Sequence, residues 1–348
     1  MLRISSVTGW PARGGVLAAV LFLSGCSLLF PDTEPTTPQS EPVPAPEPVA
    51  EPVKPLPEPA PVVKRRIPPP PLPSVAIVLS NSQPAYADVA HELEGRLHKS
   101  KLYDLGSDGD PAVTVLRLVN DSDATAVIAI GMRAASSSVA MAEKPVIFSQ
   151  VFNYQDESLL TGHSRGVAAL PPLDAQFAAW RKVDPSIARI GAIIGPGHDD
   201  LINEARAAAG KNGIELRIEV AQSDQETLYL FRRMVRDIDG YLMLPDNRIL
   251  SPRVIQQMLH EANGHQVAVA VPNDAMLGMG ASVSFMSVAS DVAETVVRIL
   301  RQIQQGHLSD VPPITPLSEI RVTTSEAVSR KRSVARSEAD QPGKDTGP

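Results

Sequence analysis

Short apolar runs rich in β-branched residues recur through the middle of this chain: Val-Ala-Ile-Val-Leu at 75–79, Ala-Val-Ile-Ala-Ile at 126–130, Ile-Gly-Ala-Ile-Ile at 190–194 and Val-Ala-Val-Ala at 267–270. A strand with one wet face alternates apolar and polar residues. Unbroken runs of this length belong to strands covered on both faces, as in a parallel sheet flanked by helices. Helices are predicted between them, over 86–99, 112–119, 133–141, 173–182, 199–212, 224–237 and 252–263, with further strands at 103–105, 146–148, 215–220 and 241–244. Strands alternating with helices of that length form βαβ units. The pattern restarts after Gly166, so the expected class is α/β, with two doubly wound, Rossmann-like lobes in tandem.

The end of the pattern adds connectivity. A strand over 281–285, one long helix over 287–305 and a Pro-initiated strand over 314–323 suit a chain that crosses back to the first lobe and returns. That gives three crossovers and a hinge. The expected division is 74–167 plus 288–307 for lobe 1, and 168–287 plus 312–325 for lobe 2.

The flanks differ in kind. Of 33 prolines, 17 fall within 31–73, where the missing amide donors and fixed φ forbid helix and sheet. As polyproline II this spacer reaches roughly 130 Å. Before it, Arg3 and Arg13 are the only charges ahead of Cys26, an apolar run occupies 14–23, and Leu23-Ser24-Gly25-Cys26 forms a lipobox. The run is too short to span a bilayer, which needs about 20 residues. Residues 1–25 are therefore expected to be a signal peptide and 26–73 a lipidated N-terminus with its linker. Resemblance to bacterial lipoproteins implies acylation at Cys26, a stable membrane anchor, and a place in the bacterial cell envelope facing the periplasm. Ser27 rather than Asp after the cysteine favours the outer membrane. The polar segment 326–348, with Arg330, Lys331, Arg332 and Arg336, is expected to be a disordered tail.

Composition removes several function classes. A net charge of -7 argues against nucleic-acid binding, which needs a basic face. One cysteine excludes internal disulfides, thiolate zinc sites and a cysteine protease dyad. His260 and His265 stand five apart with Gly264 between them, so they do not share a helix face as a zinc-protease pair does. No Gly-x-Ser-x-Gly elbow occurs, and Gly195-Pro196-Gly197 lacks the Lys-Ser/Thr of a phosphate loop. No catalytic residue, metal or cofactor is expected.

In open α/β sheets ligands bind beyond the carboxyl ends of the strands. That rule selects Ser80, Asn81, Gln83, Tyr86, Gly131, Met132, Gln150 and Asn153 in the first lobe, and Gly197, His198, Asp246, Asn247, Asn273 and Asp274 in the second. Amides and helix N-termini there can hold a carboxylate, Asp246 or Asp274 an ammonium, and Tyr86 or Phe152 a ring. The competing role for small polar residues at these junctions is to cap helices and turns.

Gly166-Val167-Ala168-Ala169-Leu170-Pro171-Pro172, Asp184-Pro185-Ser186-Ile187-Ala188-Arg189-Ile190-Gly191, Gly195-Pro196-Gly197 and Pro245-Asp246-Asn247 stand in an order and spacing that resembles the ABC-transporter-associated substrate-binding lipoproteins. The resemblance spans 74–324 and implies the type I periplasmic binding protein fold, with two lobes on a three-crossover hinge. It implies a solute-binding protein that closes on a small polar metabolite such as an amino acid and meets an ABC permease or another envelope protein. Aromatic amino acids are ligands of some members. The long spacer and the lipobox context suit an alternative, an envelope lipoprotein whose binding fold serves as a sensing or protein-docking module.

Overall fold

The computed structural model describes residues 71–106, 109–156 and 158–326. The signal peptide with Cys26, the spacer up to residue 70 and the tail beyond 326 lie outside the described residues.

The first lobe runs β1 (Val75–Leu79), α1 (Pro84–Arg96), β2 (Ser100–Asp104), α2 (Ala112–Asn120), β3 (Ala126–Ile130), α3 (Met132–Met141), β4 (Val146–Ser149) and β5 (Ser164–Val167). The second runs α4 (Leu173–Val183), β6 (Arg189–Ile194), α5 (Asp199–Lys211), β7 (Glu215–Val220), α6 (Asp224–Met234), β8 (Gly240–Met243), α7 (Pro252–Gly264), β9 (Ala268–Val271), a 3-10 turn at Asp274–Met279, and β10 (Val283–Met286). Then come α8 (Ala289–Gln304), a second 3-10 turn, β11 (Ile314–Thr315) and β12 (Arg321–Thr324). One sheet has the order β11-β5-β4-β3-β1-β2 and the other β12-β10-β9-β8-β6-β7. Pairing is parallel throughout except where β12 meets β10.

The continuous apolar runs are buried on both faces. In β1, Val75, Ile77 and Leu79 enter a core shared with Val89 and Leu93 of α1 and with α8, whereas Ala76 and Val78 enter one shared with Val115, Leu116 and Val119 of α2. A polar residue at any of these five places would face one core or the other. Helix α8 belongs to the first lobe. It buries Val292, Val296, Ile299 and Leu300 against α1 and the sheet, at roughly 1.5–3 kcal/mol for each large side chain.

Three crossovers link the lobes: β5 to α4, β10 to α8, and β11 to β12. The last corrects the sequence reading. The expected single strand over 314–323 is two strands in two different sheets, so 314–317 belongs with lobe 1 and only β12 joins lobe 2. Pro316 has no N–H to continue the ladder, Leu317 packs into the first-lobe core, and the buried carboxylate of Asp291 in the first turn of α8 accepts from the N–H groups of Ser318 and Glu319, both at 2.8 Å.

Strand β5 is absent from the sequence reading because Ser164-Arg165-Gly166-Val167 lacks an apolar run. Tertiary contacts make it a strand. The Arg165 guanidinium donates to the carbonyls of Val311 and Leu308, both at 2.9 Å, and Gly166 leaves room for the Phe148 ring, which a Cβ would meet at 2.5 Å. The end of the spacer is also tied down: Leu72 packs against the first-lobe core, and the Pro71 carbonyl accepts from Gln304 Nε2 at 3.1 Å.

Candidate functional site

The strand ends of both lobes border a cavity of about 340 Å³. Eight of the expected residues line it: Gln83, Tyr86, Met132, Gln150, Phe152 and Asn153 from the first lobe, Asn247 and Asn273 from the second. Tyr86 owes its position to Gly131. That glycine has φ +85°, and a Cβ on it would lie 2.6 Å from the Tyr86 ring and 2.7 Å from Ser80 Oγ. Gly131 is thus the seat of the ring, not part of the lining. Burial pushes the Tyr86 hydroxyl above its ordinary pKa, with a hydrogen bond to Gln83 partly opposing it, so it remains a neutral donor. Gln150 occupies the left-handed region at φ +58°, a conformation costing of order 1 kcal/mol or more for a non-glycine residue. Its Nε2 donates to Ser287 Oγ at 3.1 Å, joining the β4 loop to the second crossover.

The remaining expected residues serve the fold. Ser80 is buried, and its Oγ accepts from the Ala134 N–H at 2.9 Å in the first turn of α3. Asn81 accepts from the Gln83 N–H at 3.0 Å, an Asx turn. Asp274 accepts from Ser284 Oγ, and from Arg321 Nη2 at 3.2 Å. Gly197 turns the chain at φ +85° and does not line the cavity.

Asp246 requires the largest correction. Expected to meet a ligand's ammonium, it is fully buried beneath the cavity. Its carboxylate accepts from the Gly195 N–H at 2.9 Å, Arg248 Nε at 2.9 Å, Arg248 Nη2 at 2.7 Å and Asn153 Nδ2 at 3.1 Å. Burial alone would raise its pKa, but the donors from Arg248 and Gly195 outweigh burial and hold it below the usual carboxylate range. Asn153 reaches this network from the other lobe, donating also to Asn247 Oδ1 at 2.8 Å. Its Nδ2 being committed, its Oδ1 accepts from His198 Nε2 at 3.0 Å, which fixes the neutral tautomer with the proton on Nε2. Burial, then the Arg248 charge, pushes His198 below its ordinary pKa. Arg248 completes the latch across the lobes, donating from Nη1 to Asp156 Oδ1 and Oδ2 at 3.0 and 2.8 Å.

Several lining residues escaped the sequence reading. Asp88 lies on the cleft side of α1, Ser287 on the second crossover, and Phe285, Met286 and Arg321 on the two antiparallel strands beside the hinge. Strand-end reasoning misses Arg321 because it opens β12, and finding it requires knowing where the third crossover enters the second sheet.

The sequence profile of a family described as ABC transporter substrate binding protein matches residues 94–334. The chain belongs to that family. No curated protein matches it. Solved structures similar to this substrate-binding protein confirm the type I periplasmic binding fold. The ABC domain in complex with L-Trp from Streptococcus pneumonia is 16% identical at a TM-score of 0.52, over 75% of this chain and 95% of that one. A conserved domain protein from Vibrio cholerae is also 16% identical, at 0.51 over 75% and 95%. A substrate binding protein with adhesive properties from Clostridium difficile, in its ligand-free open structure, is 12% identical at 0.55 over 79% and 97%. Family and fold are those of binding proteins.

Proposed function

We propose that this substrate-binding protein closes its lobes on a small zwitterionic metabolite of the amino-acid class. The supporting observation is the charge of the cleft. Among the described residues that line it, two are charged, Asp88 on α1 and Arg321 on β12, and these are of opposite sign and from opposite lobes. An ammonium toward the first and a carboxylate toward the second are both matched only when the lobes approach. A ligand shifts an open–closed balance through such differential contacts. Gln83, Gln150, Asn247 and Asn273 add amide donors and acceptors, while Tyr86, Phe152 and Phe285 offer apolar rings to a side chain. The L-Trp complex of the Streptococcus relative is in keeping with this class.

The protein is further proposed to act in the bacterial cell envelope, held by acylation of Cys26 with the outer membrane favoured, and to pass its solute to an ABC permease. A second reading, docking on another envelope protein in place of transport, is supported by the spacer and by a relative solved as the XylFII-LytSN complex, 11% identical at a TM-score of 0.51.

Calorimetric titration of the protein with the twenty amino acids tests the first reading. An aromatic or branched amino acid should bind, Arg321→Gln should weaken it about 10- to 100-fold, and Asp88→Asn about 10-fold. Binding of neutral sugars alone, or of no amino acid, overturns it. For the anchor, Cys26→Ser should abolish incorporation of labelled palmitate, and normal labelling of that variant would end the claim.

A further inference from the structure

A second cavity, of about 300 Å³, adjoins the cleft. Phe152 and Leu170 are among the residues that line both, so the two cavities share a wall. Its size is at the small end of ligand pockets, which run from about 300 to 1,000 Å³. The interior is apolar, with Phe152, Leu170, Leu201 and Leu317 among its lining. Its charged lining differs from the cleft's: among the described residues that line it the Asp and Glu side chains are Asp200 and Glu204, with no Lys or Arg. Asp200 and Glu204 stand one turn apart on α5, and among the described residues neither carboxylate has a hydrogen-bond or ion-pair partner.

Like charges four apart on one helix face destabilise it. The helix dipole accounts for Asp200 in the first turn of α5 but not for Glu204 in the second. Glu204 is pushed above the ordinary glutamate range by partial burial. Tyr154, also lining the cavity, is pushed up by burial and then by the charges of Asp200 and Glu204, which places its hydroxyl within their field. An uncompensated carboxylate pair at the edge of an apolar chamber, with an aromatic ring on its wall, complements a cation carrying an apolar body.

We propose that this cavity is a second ligand site, for a small aromatic or branched aliphatic amine whose body fills the apolar chamber and whose ammonium lies against Asp200 and Glu204. It stands apart from the amino-acid reading of the cleft, since it uses neither Arg321 nor Asp88.

Titration with tryptamine and phenethylamine, against indole-3-propionate as the charge-reversed counterpart, tests the site on the full chain. Both amines should bind and raise the melting temperature. The double variant Asp200→Asn with Glu204→Gln should weaken amine binding at least tenfold, and Leu201→Trp should fill the chamber and abolish it. Asp88→Asn should leave amine affinity within twofold. Failure of both amines to bind the folded protein overturns the proposal. So does loss of amine binding in Asp88→Asn with retention in the double variant, which would assign the amines to the cleft, or equal binding of indole-3-propionate. The double variant changes exposed side chains only, so it stays informative if Leu201→Trp fails to fold.

Discussion

Asp246 with Arg248 and Asp274 with Arg321 are the same two chemical groups on the same lobe, the acids lying just beyond the neighbouring strands β8 and β9. Their surroundings separate them. The side chains of the first pair are 0% exposed for the acid and 25% for the arginine, those of the second 39% and 52%. Around Asp246 every donor points inward, from Gly195, Arg248 and, across the lobes, Asn153. The buried pair is therefore architecture, a satisfied network that fixes the floor of the cleft and ties the β4 loop to the second lobe. In the outer pair, Arg321 has one long bond to Asp274 and one contact to Met286 Sδ, so its guanidinium keeps donors for a ligand. Chemical type alone does not say which acid meets a substrate. Solvation does.

The largest expected effect tests the buried side of that contrast. Asp246→Ala leaves Arg248 Nε and Nη2 and the buried Gly195 N–H without their acceptor, and should lower unfolding free energy by about 3 kcal/mol, read as a fall in urea midpoint at unchanged slope. A loss under about 1 kcal/mol would place Asp246 with the outer pair. Next, Gly131→Ala forces a left-handed backbone and a collision with Tyr86 and Ser80, costing about 2 kcal/mol; a stable variant with normal ligand affinity would show that the seat of Tyr86 is not needed.

The third test is pH. His198 has a folded pKa below its unfolded value, so its contribution to stability is full above about pH 6.5 and is lost as pH falls below that. The slope is at most about 1.4 kcal/mol per pH unit for one proton. Asp246, depressed in the folded state, adds a separate loss at lower pH, as pH falls through its folded value. His198→Gln, which can still donate to Asn153, should flatten the slope between pH 7 and 5, and an unchanged slope would assign it elsewhere. The smallest stability effect belongs to Arg321→Gln, under about 0.5 kcal/mol because exposed pairs contribute little. A large loss of stability would make the outer pair structural too.

Strands buried on both faces were the most legible part of the fold. The strand over 126–130 has its predicted ends because each residue must be apolar to face one of two cores. Helices were legible through their period, with ends displaced by at most three residues. Strand β5 was not, since its pairing depends on Arg165 reaching carbonyls some 140 residues away in the chain. The split at Pro316 was written in the proline, but its meaning needed Leu317 and Asp291.

The cleft was legible as a set and not residue by residue. The strand-end rule brings Gln83, Gln150, Asn153, Asn247 and Asn273 to one cavity because the topology carries those ends there. It also selects Ser80, Gly131 and Asp246, whose short-range surroundings turn them into cap, seat and floor. By itself the sequence determined the class of fold, two parallel sheets with a chain that crosses back late, because burial on both faces of a strand leaves a local imprint. Which acid is buried, which arginine stays wet and which loop reaches across the lobes was decided only in the tertiary structure, because desolvation is a property of neighbours distant in the chain.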